Sequence, residues 1–279
     1  MRIVTCTIDN SDSELKRAIK ENRPLLIKGL VADSVGDERS DKWSPEFVLS
    51  LLGEDKQVLT PLRETPLNTS TIDFEEITKK PKSFGEIISD CIDPEDPDKE
   101  IYVPGMKTNF IPSIKDVVGK LDALRSIKLA RNEIFLGRNT QCVGHFHAFF
   151  EAILCQFKGQ KHIRLYSPSS FRKLSPFPAL SHHYLRSKIN FYQNNRGEFP
   201  NLSGIDEDAH PKSKDAEYID IVLEPGDAIY IPVHWLHVLQ GKDWNLSVAH
   251  FWDSEIKNWK FNYPALISCL NKPLVPLRR

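Results

Sequence analysis

The histidines of this chain place the strongest constraint on its fold. His145 and His147 stand two residues apart in a β-rich run, and His237 follows 92 residues after His145, behind a Gly-Asp turn and a short apolar stretch. Side chains at i and i+2 of a strand point to the same face, about 6–7 Å apart along the backbone, so both imidazoles can reach one ion. A sheet then has to return the third ligand from a distant segment. The pattern predicts a split metal site built from β-structure.

Composition narrows the class of protein. With 279 residues, 40% of them hydrophobic, the chain can bury a substantial core, and we expect one domain over residues 1–279. The formal net charge of −1 leaves no clear footprint for nucleic acid. No run approaches the roughly 18 apolar residues of a membrane span. The first residues, MRIVTCTIDN, lack the basic region and long apolar core typical of export, and the five cysteines form no CxxC pair, so we expect a cytoplasmic protein without a membrane partner.

Residues 1–130 are predicted to mix helices and strands. Ser44 followed by proline predicts a helix start, and Ser83 with Glu86 three residues later predicts a capping box. Ser113 precedes a third helical pattern. Two short strands are expected between the helices, at 25–27 and 101–103.

Residues 131–254 are dominated by β-rich segments, which predict an antiparallel sandwich or barrel. The segments are EIFLG, HFHAFFEAILCQF, KHIRLYSP, YIDIVL, DAIYIP and LSVAHFW. A polar stretch at 170–217 interrupts them and is a candidate substrate loop or lid. Residues 255–279 begin with helical spacing of apolar side chains, which predicts a helix that packs on the domain or forms a homodimer.

Other polar residues near the histidines allow two interpretations each. Glu151 shares the strand parity of His145 and His147, yet it lies about 13 Å of strand beyond His147 and needs a bend to become a ligand. A carboxylate bonded to a neighbouring side chain is the alternative. Lys161 on the next predicted strand is either solvated or directed into a cavity, where it would bind an organic carboxylate. Tyr102, Cys142 and His250 either line the same cavity or pack in the core.

Three segments carry a family resemblance: CQFKGQKHIRLYSP at 155–168, EPGDAIYIPVHWLHVLQ at 224–240 and LSVAHFW at 246–252. They resemble the cupins, and within them the JmjC or cupin-8 group of iron and 2-oxoglutarate oxygenases. The resemblance covers most of residues 20–255. It implies a mainly β fold with surrounding helices, a double-stranded β-helix or jelly roll.

The resemblance also implies a ligand set. The positions of the family's metal ligands fall on His145, His147 and His237. Lys161 corresponds to the lysine that grips the distal carboxylate of 2-oxoglutarate, and Tyr102 to an assisting tyrosine. Iron(II) and 2-oxoglutarate are the cofactors implied, although imidazole also suits zinc, copper and nickel.

The chain departs from the family at this same site. His147 replaces the aspartate of the usual His-x-Asp pair, Glu151 and His250 stand where asparagines are common, and Cys142 stands where threonine or serine is common. One residue more than usual between Glu151 and Gln156 predicts a bulge there. The pattern His-x-His-x3-Glu instead resembles the older cupin signature, which makes Glu151 a candidate fourth ligand.

We expect an iron(II)-dependent oxygenase that uses 2-oxoglutarate and hydroxylates its substrate. The alternatives are a 2-oxoglutarate-independent cupin metalloenzyme with three histidines and one glutamate, and a non-catalytic cupin that binds a partner or small molecule. The patterns leave the substrate open among proteins, peptides and small molecules, because fold does not decide substrate.

Overall fold

The computed structural model describes residues 1–35, 42–61, 79–94, 100–107, 131–192, 199, 205–259 and 262–271. The strands are β1 Val4–Thr7, β2 Leu25–Lys28, β3 Gln57–Pro61, β4 Lys79–Ser83, β5 Ile101–Lys107, β6 Arg131–Arg138, β7 Gln141–His145, β8 Phe150–Lys158, β9 Lys161–Tyr166, β10 Tyr218–Leu223, β11 Ala228–Ile231, β12 Leu236–Gly241 and β13 Trp244–Asp253. The α-helices are α1 Ser11–Glu21, α2 Ala32–Val35, α3 Pro45–Leu52, α4 Phe84–Ile92 and α5 Tyr263–Asn271. Short 3₁₀ helices occupy Ile8–Asn10, Pro168–Lys173, Ser213–Asp215 and Ile256–Asn258.

Two sheets form the body of the protein. The major sheet has seven strands in the order β1-β2-β11-β8-β13-β6-β5, and the minor sheet has four in the order β10-β9-β12-β7. Apart from the parallel pair β1 and β2, neighbouring strands in both sheets are antiparallel. The predicted mainly β jelly roll with surrounding helices is confirmed.

Apolar side chains fill three layers. Between the sheets, Leu154 and Ala249 of the major sheet belong to one cluster with Ile163 of the minor sheet. The other face of the major sheet packs against α1, α3 and α4, and the other face of the minor sheet packs against residues of the 170–217 insertion and α5. Alternation along each strand produces these layers, and each fully buried large side chain contributes about 1.5–3 kcal/mol.

The predicted helix starts within the described residues are confirmed. The Ser44 hydroxyl accepts a hydrogen bond from the backbone N–H of Phe47 at 3.1 Å, and α3 follows. Ser83 and Glu86 form the expected capping box, with reciprocal bonds of 3.2 and 2.7 Å, at the start of α4. The predicted start at Ser113 lies outside the described residues.

The β-rich run at 145–157 is not the single strand that the sequence suggests. β7 ends at His145, residues 146–149 cross from the minor to the major sheet, and β8 begins at Phe150. The crossing resets the alternation of side chains, because the two strands belong to opposite walls of the barrel. The predicted bulge between Glu151 and Gln156 is also misplaced. The β8 register shifts just after Gln156, where Lys158 and Gln156 face consecutive residues of β13.

The C-terminal part is helical in two short pieces. A 3₁₀ turn at Ile256–Asn258 precedes α5, whose Ile267 packs into the cluster beneath the insertion. Residues 272–279 of the predicted segment lie outside the described residues. In the part of the chain that the structure describes, no helix is both long and apolar enough to cross a membrane.

Candidate metal centre

A β-bulge aligns two of the histidines. β7 and β12 pair so that His237 lies directly opposite His145, while Leu239 lies opposite Cys142. Two steps along β12 thus match three along β7, so β7 carries one extra residue between these pairs. Facing residues of an antiparallel pair project to the same side, and His145 and His237 therefore enter the barrel together.

His147 reaches the centre from the crossing segment. It lies beyond the end of β7, so strand alternation does not orient it. Its carbonyl oxygen accepts a hydrogen bond from the backbone N–H of His234 at 3.1 Å. Its ring packs edge-on against Phe251, with 5.4 Å between the ring centroids. The contacts of a loop, rather than the expected i, i+2 spacing, bring this imidazole to the other two.

The three rings converge on one point. The centroid distances are 4.2 Å for His145 and His237, 4.7 Å for His147 and His237, and 5.6 Å for His145 and His147. One ring nitrogen of each residue lies within 4.8 Å of one nitrogen of each of the others. Two ligands about 2.0–2.1 Å from one ion lie at most about 4.2 Å apart, so only a small shift of the rings is needed for all three nitrogens to bind one ion.

Hydrogen bonds orient two of the rings. The Nδ1 of His145 lies 2.9 Å from the carbonyl oxygen of Val143, and the Nδ1 of His237 lies 3.0 Å from that of Trp235. A carbonyl only accepts, so each Nδ1 carries the proton and each Nε2 keeps its lone pair for an ion. His147 differs, because its Nδ1 is buried without a hydrogen-bond partner among the described residues.

Burial keeps all three imidazoles neutral. It lowers the pKa of His145 to about 4 and that of His147 to about 3, and it holds the pKa of His237 well below its ordinary value. Positive charges add to the effect, from Arg186 at His145 and from Arg131 at His147. Neutral imidazole is the form that binds metal.

The rings open into a cavity of about 520 Å³ of space, part of it continuous with solvent. Its lining residues are Tyr102, Phe135, Thr140, Gln141, Cys142, His145, His147, Ala152, Leu154, Lys161, Ile231, His237, Leu239, Ala249 and Phe251. Apolar side chains predominate, and no carboxylate lines the described part of the cavity. Such a surface suits a small organic ligand fixed by a few polar groups.

Lys161 places a buried amine in this cavity. It is the first residue of β9 and is only 4% exposed. Burial lowers the pKa of its ammonium group to about 8, with the nearby Cys142 acting in the opposite direction. Lys161 is therefore still mostly charged at neutral pH, and an anion is the ligand that would stabilise it.

Comparison with known families agrees with this geometry. A family model described as a cupin-like domain matches residues 11–258. The chain belongs to the cupin-like family. Some relatives of this cupin-like protein are named for a JmjC domain.

Three relatives differ in their identity to the chain and in the share of each protein that the match covers. The chain is 31% identical over 106 residues to "Lysine-specific demethylase JMJ30" of Arabidopsis thaliana, which covers 38% of the chain and 22% of the relative. It is 25% identical over 269 residues to "JmjC domain-containing protein A" of Dictyostelium discoideum, covering 89% and 95%. It is 23% identical over 241 residues to "tRNA wybutosine-synthesizing protein 4" of Neurospora crassa, covering 82% and 18%. The cupin-like chain thus spans about a fifth of the length of the plant demethylase and of the fungal protein.

The donor set of the cupin-like protein fits a transition metal. Three neutral imidazole nitrogens converge, and two of them have the backbone hydrogen bonds that metal-binding histidines usually make. Imidazole suits iron, zinc, copper and nickel, so the donors leave the element open. Since no carboxylate belongs to this group of described residues, a bound divalent ion would keep its full positive charge until an exogenous anion arrived.

The structure does not bring Glu151 to this centre, in contrast to the predicted fourth ligand. The neighbouring Ala152 lines the cavity, so Glu151 points to the opposite face of β8. Its carboxylate accepts hydrogen bonds from Tyr230 at 2.7 Å and Ser254 at 2.6 Å. The prediction assumed unbroken alternation from His145, whereas the crossing between the sheets interrupts it.

His250 is likewise outside the cavity. Its neighbours Ala249 and Phe251 line the cavity, which places His250 on the outer face of β13. Its Nδ1 donates to the side-chain oxygen of Asn132 at 2.8 Å, and burial lowers its pKa to about 4. Of the three residues for which the sequence left cavity lining or core packing open, His250 thus packs on the outer face, and Tyr102 and Cys142 line the cavity.

Sequence reasoning missed several residues of the site. Thr140 and Gln141 line the cavity just before Cys142, and Arg131 and Arg186 place charge beside the histidines. The only available signal was for Thr140, which shares the strand parity of Cys142. Arg186 lies in the insertion, where no periodic pattern predicted a pairing with β7.

Proposed function

We propose that this protein is an iron(II)-dependent oxygenase that uses 2-oxoglutarate to hydroxylate an organic substrate. The observation that carries the proposal is one cavity holding both a three-imidazole centre and the buried ammonium group of Lys161. Membership of the cupin-like family and the JmjC relatives support the same chemistry.

Different residues of the chain bind the metal, bind the cosubstrate and exclude water. His145, His147 and His237 would hold the ion, and the Nδ1 hydrogen bonds of His145 and His237 keep those two rings oriented. Lys161 binds the distal carboxylate of the cosubstrate, because its ammonium is the only cation lining the described cavity. The apolar lining excludes water from the reacting groups.

Iron with this cosubstrate supplies oxidative chemistry. Dioxygen, 2-oxoglutarate and a substrate C–H group give succinate, carbon dioxide and the hydroxylated substrate, with one oxygen atom in succinate and the other in the new hydroxyl.

An anaerobic titration tests the proposal. Iron(II)-loaded protein is expected to develop a metal-to-ligand charge-transfer band when 2-oxoglutarate is added. Lys161→Ala should weaken cosubstrate binding at least about tenfold while leaving the metal content unchanged, and Lys161→Arg, which keeps the charge, is the matched control. Absence of the band from iron-loaded wild-type protein would remove 2-oxoglutarate from the mechanism.

The composition of the histidine cluster supports a second candidate function. Among the described residues the cluster contains three neutral ligands and no aspartate or glutamate, which also suits a cupin metalloenzyme whose substrate binds the ion directly, without 2-oxoglutarate. Iron-loaded protein that binds no 2-oxoglutarate but consumes dioxygen with an organic substrate would favour this candidate. Purified protein that takes up no metal at all would instead favour a non-catalytic binding role.

Location and assembly complete the proposal. None of the five cysteines forms a disulfide, which supports a location in the reducing cytoplasm.

A homodimer through the C-terminal helix also stays a proposal, supported by the exposed Leu266 and Leu270 of α5. The relatives' names mention protein lysines and a tRNA base, but low identity or partial coverage leaves this protein's substrate open.

A further inference from the structure

The insertion adds a charged residue to the row of histidines. Arg186 forms an antiparallel bridge with His145, on the edge of β7 opposite to β12. Across the minor sheet, the residues level with one another are therefore Leu165, His237, His145 and Arg186.

The type of pairing brings the two side chains close. The flanking hydrogen bonds run from the N–H of Phe146 to the carbonyl of Leu185 and from the N–H of Ser187 to the carbonyl of Gly144, both at 2.9 Å. His145 and Arg186 are thus a non-hydrogen-bonded pair, in which the Cα atoms lie about 4.5 Å apart and both side chains occupy one face. His145 faces the cavity, so Arg186 projects to the same side beside it.

Two cations face the cavity from different segments. Lys161 lines it, Arg186 is the bridge partner of His145 on the same face, and no carboxylate is among the described lining residues. Arg131, on the His147 side, forms an ion pair with Glu133 at 2.8 Å. Two cations beside a lining without a described carboxylate favour an anionic ligand.

Arg186 and Lys161 lie at different depths. On β9, Lys161 is four residues from Leu165, the residue level with His237. Four residues of strand span about 13 Å, so the two cations can serve two separate anionic groups.

We propose that the primary substrate carries an anionic group, a carboxylate or a phosphate, and that Arg186 binds this group beside His145. The inference rests on the proposed function and adds the substrate class to it. A guanidinium recognises planar or tetrahedral oxyanions through two parallel hydrogen bonds, which orient the ligand as well as attract it. Arg186 is then a substrate-binding residue, and Lys161 binds the cosubstrate.

Binding of matched probes tests the assignment. Benzoate, phenyl phosphate and the neutral isostere benzamide are titrated by calorimetry into protein without added metal, and again into protein loaded with cobalt(II) and 2-oxoglutarate. At least one anion should bind, benzamide should bind more weakly, and Arg186→Gln should lower anion affinity roughly tenfold to hundredfold. Arg186→Lys should fall between wild type and Arg186→Gln, because it keeps charge without the planar fork.

Two controls make the outcome specific. Arg172→Gln removes an arginine of the same insertion that lies over the ring of Tyr263, and it should leave probe binding unchanged. Thermal unfolding and the affinity for 2-oxoglutarate show whether Arg186→Gln is folded and keeps the Lys161 contact. Preference for benzoate or for phenyl phosphate identifies the oxyanion.

Several results would overturn the inference: equal affinity for benzamide and the anions, equal anion affinity in wild type and Arg186→Gln, or loss of anion binding only in Lys161→Ala. Failure of the proposed function looks different. In that case 2-oxoglutarate does not bind, while Arg186-dependent binding of the anion to the metal-free protein persists.

Discussion

At the residue scale, His147 is the proposed ligand whose ring has no hydrogen bond to orient it among the described residues. His145 and His237 each donate from Nδ1 to a backbone carbonyl, whereas the Nδ1 of His147 has no hydrogen-bond partner among the described residues. The resemblance to the JmjC group implies that His147 also stands where an aspartate is expected, so a carboxylate there is the informative substitution.

His147→Asp is expected to retain metal and to increase turnover of 2-oxoglutarate. Two oriented imidazoles remain, and the carboxylate restores a negative ligand that favours oxidised iron. Metal content and succinate formation measure the effect. His147→Ala, the control, should lose metal affinity at least about tenfold. If His147→Asp bound no metal, the site would not be a variant of the family's.

Glu151→Gln is expected to keep the metal and to change the pH dependence of stability. Burial raises the pKa of Glu151, against the hydrogen bonds from Ser254 and Tyr230. A raised folded-state pKa means that the folded protein holds this proton more tightly, so the stability contributed by Glu151 falls as pH rises from its unfolded pKa of about 4.3 through the higher folded value.

Glutamine does not ionise, so the variant does not lose stability at this position as pH rises. Urea unfolding between about pH 4 and about pH 7 should show the free energy of unfolding of Glu151→Gln rising relative to wild type as pH increases. A constant difference across this range would contradict the raised pKa of Glu151, and loss of metal from the variant would contradict its placement outside the centre.

At the element scale, the bulged end of β7 depends on close packing by the insertion. A Cβ on Gly144 would lie 2.6 Å from the ring of Phe191, and the carbonyl of Gly144 accepts the hydrogen bond from Ser187 that holds the Arg186 segment. The insertion therefore packs directly against the strand that carries His145.

Gly144→Ala is expected to lower the free energy of unfolding by about 1–3 kcal/mol, because the added methyl overpacks a buried contact. Gly85→Ala is the matched control: its Cβ would meet atoms no closer than 3.6 Å, and alanine favours the helix α4. The control should gain about 0.4–1 kcal/mol. Urea denaturation compares the two, and a neutral Gly144→Ala would mean that Phe191 does not pack as described.

At the scale of the whole molecule, one ion would join segments that are 92 residues apart in the chain. The three nitrogens converge only in the folded barrel, so metal binds the folded state preferentially. Metal binding is therefore linked to global stability.

A metal concentration of 100 times Kd should stabilise the protein by about 2.7 kcal/mol. Thermal unfolding with and without cobalt(II) measures this shift. His237→Ala should abolish it, and His182→Ala, which changes an exposed histidine, should not. A shift of equal size in His237→Ala would place the metal elsewhere.

Much of the fold was predictable because its signals are local. The caps at Ser44 and Ser83 and the β-rich runs act within a few residues, and the structure has them where the sequence predicts. The histidine pattern likewise predicted which three side chains converge.

The predictions failed where distant elements decide orientation. Strand parity predicts that Glu151 shares a face with His145. The crossing at 146–149 breaks this alternation, and Glu151 lies on the other face of β8. Parity holds only within one uninterrupted strand.

The local sequence pattern was enough to predict the main chemical groups of the site, which are three imidazoles and a lysine, and the strands that carry them. The folded barrel alone settled which polar groups share the cavity, turning Glu151 and His250 away and placing Arg186 beside His145. The reason is that periodicity and capping act between near neighbours in the chain, whereas register, bulges and sheet crossings depend on contacts between residues far apart in it.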